Sequence, residues 1–267
     1  SANHQRIHAQ VVQRLVQLGG GQRPAGGLVD HQLALHRSHR VVDLPARVIQ
    51  RRMHAVAHQP QRRLVEVAVG VSDEADLAGI AKRLREGGAS VTEDDGQLST
   101  IEAASQVRFV LRVADREVAG APVQSTEENT YAHTVRRNRR ADGVFARARS
   151  PRRLGHLVIG SPDRTATRDF IVDGLGFRAS DEIDGVISFL RCSTEHHNIA
   201  VVESDVPILQ HYSFECDDID HVGALATSLL RWTPERHVWG FGRHFAGSNY
   251  YWYLRDAAGS FIELYSD

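Results

Sequence analysis

From residue 64 onward, short apolar runs alternate with amphipathic stretches in a fixed order. LVEVAVGV (64–71) has the β-branched alternation of a buried strand, and VRFVLRV (107–113) predicts another. Between them, SDEADLAGIAKRLREGG begins with Ser72 as a candidate cap and an acidic first turn, and it closes on Gly87 and Gly88. These are the start and stop signals of a helix. The predicted order is strand, helix, strands.

The same order returns twice downstream. One copy reads LGHLVIGS (154–161), PDRTATRDFIVDGLGF, VISFLRC and NIAVVE, and the next reads HYSFEC (211–216), DDIDHVGALATSLLRW, YYWYLRD and FIELY. Self-similar segments indicate one supersecondary unit used repeatedly. We therefore predict an α+β protein with three copies of one module, and a length of 267 residues suits two domains.

Residues 1–65 have a different composition. They hold seven of the fifteen histidines and ten arginines, but no lysine, no glutamate and only two acidic residues. IHAQVVQRLVQL (7–18) predicts one short amphipathic helix before Gly19. The histidines lack a fixed ligand spacing and an acidic partner, so we expect scattered surface histidines and no metal site there.

The charge and hydrophobicity of the chain limit the classes of partner that it can bind. The net charge of −1 and arginines spread without a basic stripe argue against nucleic acid, which leaves a small-molecule substrate as the better fit. No apolar run approaches the ~20 residues that span a bilayer, and no basic-then-apolar leader pattern is present. We expect no membrane partner and a cytoplasmic location. Cys192 and Cys216 lie in strand-like segments, which favours buried thiols.

Three residues of metal-ligating types occupy related places in the last two copies. His156 and His211 stand at the heads of the two first strands, 55 residues apart, and Glu263 lies in the closing strand. Alternate side chains of a strand share one face, so the three can meet on one surface. Two imidazoles and one carboxylate form a facial triad, which favours Fe(II), with Mn(II) as competitor. A lone strand histidine is more often simply half-buried, and it is the equivalent placement that favours ligands.

The segment GRHFAGSNYYWYLRDAAGSFIE (242–263) carries His244, Tyr253 and Glu263 at intervals of nine and ten residues. It resembles the signature of type I extradiol catechol dioxygenases in the vicinal oxygen chelate superfamily, with Ala257 where that family has proline. The resemblance implies repeated βαβββ modules in two domains. A metal-free N-terminal domain would span 1–148, with 1–48 atypical of the family, and a catalytic metal-binding domain would span 149–267.

The resemblance also implies roles for individual residues. His156, His211 and Glu263 would bind the iron, while His244 and Tyr253 would hydrogen-bond a ligated oxygen of the catechol. His197 would stabilise superoxide and later act as an acid in O–O cleavage. His196, predicted to point the other way on a strand, would have no such role. The co-substrate would be O2, and family habit suggests a homo-oligomer.

Substrate preference rests on three apolar positions where the family lines its ring pocket: Val158, Phe189 and Ala200. They favour a bulky hydrophobic catechol such as 2,3-dihydroxybiphenyl, although each residue is equally explained as core.

Two other functions stay open. A glyoxalase-like lyase or isomerase also presents histidine and glutamate to a divalent ion, but it has no need of His197, His244 and Tyr253. A drug-sequestering protein keeps the fold and typically binds no metal. Bound metal would exclude the sequestering protein, and O2 uptake with a catechol would exclude the lyase.

Overall fold

The protein is built from three βαβββ modules, seen in a computed structural model that describes residues 12–16, 63–116, 138 and 150–267. A strand, β1 (Val12–Val16), precedes them. Module one contains β2 (Arg63–Val71), α1 (Glu74–Glu86), β3 (Val91–Asp94), β4 (Gln97–Ile101) and β5 (Arg108–Val113). The α+β prediction of repeated βαβββ modules is confirmed.

Modules two and three follow the same plan. Module two contains β6 (Arg153–Ser161), α2 (Arg164–Asp169) continued by a π-helical turn (Phe170–Gly174), β7 (Arg178–Ile183), β8 (Ile187–Arg191) and β9 (Ile199–Glu203). Module three contains β10 (Ile208–Glu215), α3 (Ile219–Leu230), a 3-10 turn (Pro234–Arg236), β11 (His237–Arg243), β12 (Tyr250–Arg255) and β13 (Phe261–Ser266).

Each module pairs its first strand in parallel with its last, and the other strands follow antiparallel. Module one forms a five-stranded sheet with β1, in the order β1-β2-β5-β4-β3. Modules two and three share one eight-stranded sheet, in the order β11-β12-β13-β10-β6-β9-β8-β7, because β6 and β10 pair antiparallel. The two first strands of the paired modules therefore lie side by side.

An aspartate caps the helix of every module at the same offset. Asp73, Asp163 and Asp218 accept a hydrogen bond from the backbone N–H three residues later, which satisfies a donor that the helix leaves unpaired. Ser72 was predicted as the first cap and is wrong by one residue. Counting back from these caps makes Glu66, His156 and His211 equivalent positions.

Two apolar cores support the sheets. One joins modules one and two, and includes Leu64, Phe109, Leu157 and Ile199. A buried hydrogen bond from Thr167 Oγ1 to Glu102 Oε2, 2.9 Å long, also crosses between these modules. The other core packs α3 on the strands of module three. The predicted domain division at residue 148 stays a prediction.

The N-terminal segment departs from its prediction. Val12–Val16, expected within a short helix, is a strand paired antiparallel to β2. A helix of about twelve residues is marginal in water, whereas the edge of β2 offers backbone partners to a β-branched run. Histidines 4, 8, 31, 36, 39, 54 and 58, and most of the atypical segment 1–48, lie outside the described residues.

Cys192 and Cys216 are free thiols, as predicted, and Cys216 is buried, whereas Cys192 is only partly buried. Among the described residues, no helix is both long enough and apolar enough to cross a bilayer. A cytoplasmic location and homo-oligomeric assembly stay predictions.

Candidate metal centre and its surroundings

Strand register brings the three predicted ligands to one face of the eight-stranded sheet. His156 in β6 pairs with Ser213 in β10, and Ser213 pairs with Glu263 in β13. His211 lies two residues before Ser213 on the same strand, so its side chain emerges on the same face.

The donor atoms converge within the interior. Glu263 Oε2 lies 2.8 Å from His156 Nε2 and 3.4 Å from His211 Nε2, and the two Nε2 atoms are 3.4 Å apart. All three residues are buried. Ligands held ~2.0–2.2 Å from a metal at right angles stand about 3 Å from each other, so this arrangement fits a divalent ion. Its donor chemistry suits Fe(II) or Mn(II).

The protonation states also suit a metal. Burial alone would raise the pKa of Glu263, but the surrounding histidines, His156 first, lower this pKa well below its usual value. Burial lowers the pKa of His211, and Glu263 only partly opposes this effect. The site therefore offers an ionised carboxylate and a neutral His211, the forms that bind metal.

Two neighbours that sequence reasoning missed hold the ligands in place. Ser213 donates its hydroxyl to Glu263 Oε2 over 2.7 Å. Gln210 Oε1 accepts the hydrogen of His211 Nδ1, which leaves Nε2 bare toward the centre. Its place two positions after His211, and hence on the same face of the strand, was the available signal for Ser213.

His156 is supported by a tyrosine that sequence reasoning also missed. The Tyr265 ring lies 5.0 Å from the His156 ring, between centroids. Its hydroxyl occupies the space beside Gly155, where an added Cβ would stand 2.1 Å from that oxygen. Gly155 is therefore required by the close approach of Tyr265.

His244 and Tyr253 lie on the Glu263 side of the centre. Tyr253 pairs with Glu263 across β12 and β13, and its hydroxyl is 3.3 Å from His244 Nε2. His244 Nε2 is also 3.2 Å from Glu263 Oε1, and its ring stacks on Tyr251 with 3.9 Å between centroids. Burial and the nearby carboxylate raise the pKa of Tyr253, so its hydroxyl keeps its proton.

His197 lies beside His156, with 4.1 Å between the ring centroids. Contrary to prediction, His196 and His197 do not alternate on a strand, because both lie in the loop before β9. The side chain of Asn198 holds this loop by accepting from Cys192 N and Ser193 Oγ. His196 Nδ1 is 3.1 Å from His197 Nδ1, so His196 contacts His197 and does not point away from it.

The three predicted pocket residues line up beside His211. Val158 in β6 pairs with His211 on one side and with Ala200 on the other, and Ala200 pairs with Phe189 in β8. They form a small apolar cluster that is separate from the two larger cores. The module repeat makes Ala200 the counterpart of Glu263 and Phe189 the counterpart of Tyr253. At the two positions where module three has Glu263 and Tyr253, module two thus has apolar residues.

Known proteins resemble this chain in sequence and fold. Residues 153–264 match the family model described as the glyoxalase/bleomycin resistance protein/dioxygenase superfamily. Metapyrocatechase 2 of Cupriavidus necator is 30% identical over 210 residues, which are 73% of this chain and 61% of that protein. The 2,2',3-trihydroxybiphenyl dioxygenase of Sphingomonas paucimobilis is 27% identical over 220 residues, covering 77% and 69% of the two chains.

Among solved structures, the Mn(II)-bound glyoxalase from Novosphingobium aromaticivorans has a TM-score of 0.58 and 21% identity. The match covers 78% of this chain and 64% of that one, and it shows the shared fold. This chain thus spans about three fifths of Metapyrocatechase 2, the relative with 30% identity.

Proposed function

We propose that this chain, whose residues 153–264 form a domain of the glyoxalase/bleomycin resistance protein/dioxygenase superfamily, is an extradiol ring-cleaving dioxygenase. It would insert both atoms of O2 into a catechol and yield a ring-opened semialdehyde or keto-dienoate. The observation that carries the proposal is the buried cluster of His156, His211 and Glu263, flanked by three further polar side chains: His197, His244 and Tyr253. A sequestering protein needs no such donor set.

His156, His211 and Glu263 would hold Fe(II), or Mn(II) in its place. When bound, the metal supplies Lewis acidity toward the two catechol oxygens and the redox chemistry that O2 requires. Gln210 and Ser213 keep the ligand atoms directed to the centre by hydrogen-bonding His211 Nδ1 and Glu263 Oε2. The protein's part is to fix these donors before the substrate arrives.

His244 and Tyr253 would manage the protons of the catechol. A catechol must lose protons to chelate through both oxygens, and His244 Nε2 lies within hydrogen-bond reach of both Tyr253 and Glu263. Tyr253 stays protonated because its pKa is raised, so it can donate a hydrogen bond to the charged catecholate oxygen. These two residues would therefore orient and stabilise the ionised substrate.

His197 would serve the oxygen side of the reaction. Burial, followed by the charge of His156, lowers the pKa of His197 well below its usual value, so it is neutral before substrate binds. A neutral imidazole can take a proton from the substrate and return it when the O–O bond breaks. Its ring packs beside that of the proposed ligand His156, 4.1 Å away between centroids.

The small apolar cluster beside His211 favours a bulky hydrophobic catechol as the substrate. Val158, Ala200 and Phe189 are at most 9% exposed and lie in register next to His211. An apolar surface gains from burying an aromatic substituent and offers nothing to a carboxylate. We therefore propose 2,3-dihydroxybiphenyl as a better substrate than catechol, and catechol as better than a carboxylated catechol.

The test is anaerobic reconstitution with Fe(II), followed by O2 consumption with each of these catechols. The proposal expects one iron per chain and O2 uptake that is fastest with 2,3-dihydroxybiphenyl. Stoichiometric metal without O2 uptake would favour a lyase or isomerase. A chain that binds the catechol but no metal would be a sequestering protein.

A further inference from the structure

Two adjacent histidines meet beside the metal centre. The rings of His196 and His197 are perpendicular, with their Nδ1 atoms 3.1 Å apart. At this separation one Nδ1 carries a hydrogen and donates it to the other, which is bare. The contact therefore links the protonation pattern of the two rings.

His196 is held in this position from several directions. Its ring lies 5.1 Å from the Phe189 ring, between centroids. The loop between β11 and β12 presses against it at Gly247, where an added Cβ would stand 3.1 Å from His196 Nδ1. Gly247 has φ +80°, so glycine is favoured on conformational grounds as well. The Ser180 hydroxyl anchors the backbone by donating to the His196 carbonyl.

A carboxylate stands at the far end of His196. Asp181 Oδ2 in β7 is 3.6 Å from His196 Nε2. A bare Nε2 would direct its lone pair at this negative charge, whereas an Nε2–H is attracted to it. With the hydrogen on Nε2, the Nδ1 of a neutral His196 is an acceptor. His197 is then the donor in the contact between the two Nδ1 atoms.

We propose that His196 is a positioning residue: with Asp181 behind it, it fixes His197 in the tautomer that carries hydrogen on Nδ1 and a lone pair on Nε2. The hydrogen bond made by one ring nitrogen decides which form the other takes. In this tautomer Nε2 is the only basic atom of the His197 ring. The value of this arrangement for catalysis rests on the proposed dioxygenase function, but the tautomer itself does not.

The direct test is two-dimensional NMR of the metal-free full chain labelled with ¹⁵N-histidine, in which ring nitrogen shifts distinguish the two neutral tautomers. The His197 signals are identified by their loss in His197→Gln. The proposal expects the Nδ1–H form in the wild-type protein. It expects a shift toward the Nε2–H form in His196→Phe, which keeps the ring packing but removes the acceptor. His196→Asn, whose amide oxygen can accept from the same hydrogen, should retain the Nδ1–H form.

Observing the Nε2–H tautomer in the wild-type protein would overturn the proposal, and so would unchanged His197 shifts in a folded His196→Phe variant. In the iron-loaded protein, His196→Phe should lower kcat by about 10- to 100-fold with iron content and KM unchanged, and His196→Asn should restore most of that loss. If the chain does not cleave catechols but the NMR result holds, only the proposed function fails. If ring cleavage is found and the tautomer differs, only this inference fails.

Discussion

Module one and the paired modules share one backbone plan but differ in what their equivalent positions carry. At the place of His156 and His211, module one has Glu66, which pairs with Arg108 at 3.6 Å. At the place of Glu263 it has Val110, and at the place of Tyr253 it has Ser99, as the strand registers show. Module one thus keeps the scaffold and carries none of the proposed ligands at these positions.

The difference shows where the chemistry originates. A single module would supply at most one proposed ligand from its first strand and one from its last, which is too few for a facial triad. The antiparallel pairing of β6 and β10 places the second imidazole beside them. The two paired modules also differ, because Ala200 replaces Glu263 and Phe189 replaces Tyr253. In the proposed function, these apolar positions would receive the hydrophobic part of the substrate.

The largest expected effect is the loss of metal from a ligand variant. His211→Ala removes one of three protein ligands and should abolish stoichiometric iron binding. Its control is Glu66→Ala, an alanine substitution at the equivalent position of module one, which should keep a full equivalent of iron. Iron content after desalting measures both. Full iron in His211→Ala at unchanged affinity would refute the ligand assignment.

The next largest expected effect is slower ring cleavage in a variant that keeps its iron. His197→Phe should retain iron and catechol binding, while ring cleavage slows by ~10²- to 10⁴-fold or peroxide is released instead. The loop carrying His197 adjoins the site, whereas His237 lies on β11 and bonds Trp252 Nε1. His237→Phe is therefore the control and should turn over normally. Normal turnover by the His197 variant would rule out its role in oxygen chemistry.

A smaller effect tests the support of His156. Gly155→Ala places a Cβ against the Tyr265 hydroxyl, so Tyr265 must move and the His156 ring with it. We expect destabilisation of about 1–3 kcal/mol and metal binding weaker by about 10- to 100-fold. Gly223→Ala on α3, where an added Cβ meets nothing within 4 Å, is the control and should be neutral or slightly stabilising. Equal behaviour of the two variants in thermal unfolding and iron titration would contradict the prediction.

The smallest expected effect is a loss of folding stability at alkaline pH. It concerns the paired modules, since residues 63–113 of module one contain no tyrosine. Burial raises the pKa of three of the six tyrosines, Tyr212, Tyr253 and Tyr265. A folded pKa above the unfolded value means that stability is fully present below about pH 10 and is lost as pH rises further. Ultraviolet titration should show incomplete tyrosinate formation until the fold is lost. Ionisation of all six tyrosines in the native protein would contradict this prediction.

Much of the fold was accessible from the sequence because module order depends on local signals. Hydrophobic period, caps and glycine stops place the helices and the buried strands of all three copies within one to three residues. The strands β3, β4, β7 and β11 were not individually predicted. The residues of β3 and β7 are mostly exposed and lack alternation, and β4 and β11 bury at most every second residue. The helix predicted at Val12–Val16 was wrong because the strand found there depends on a partner strand more than forty residues away.

The residues of the candidate site also divide into those that local sequence signals or resemblance predicted and those that they did not. The positions of His156, His211 and Glu263 followed from strand alternation and module equivalence, while the roles of His197, His244 and Tyr253 came from resemblance. Ser213, Tyr265 and the contact between His196 and His197 were missed, because each depends on cross-strand register or loop shape. Such contacts leave no periodic signal in one sequence.

The central claim is that the paired modules insert O2 into a catechol. The most direct measurement is mass spectrometry of the product formed by the Fe(II)-loaded chain from 2,3-dihydroxybiphenyl under ¹⁸O2. The account predicts a ring-opened product that contains both labelled oxygen atoms. A product without label, or no product from a chain that holds one iron, would contradict it.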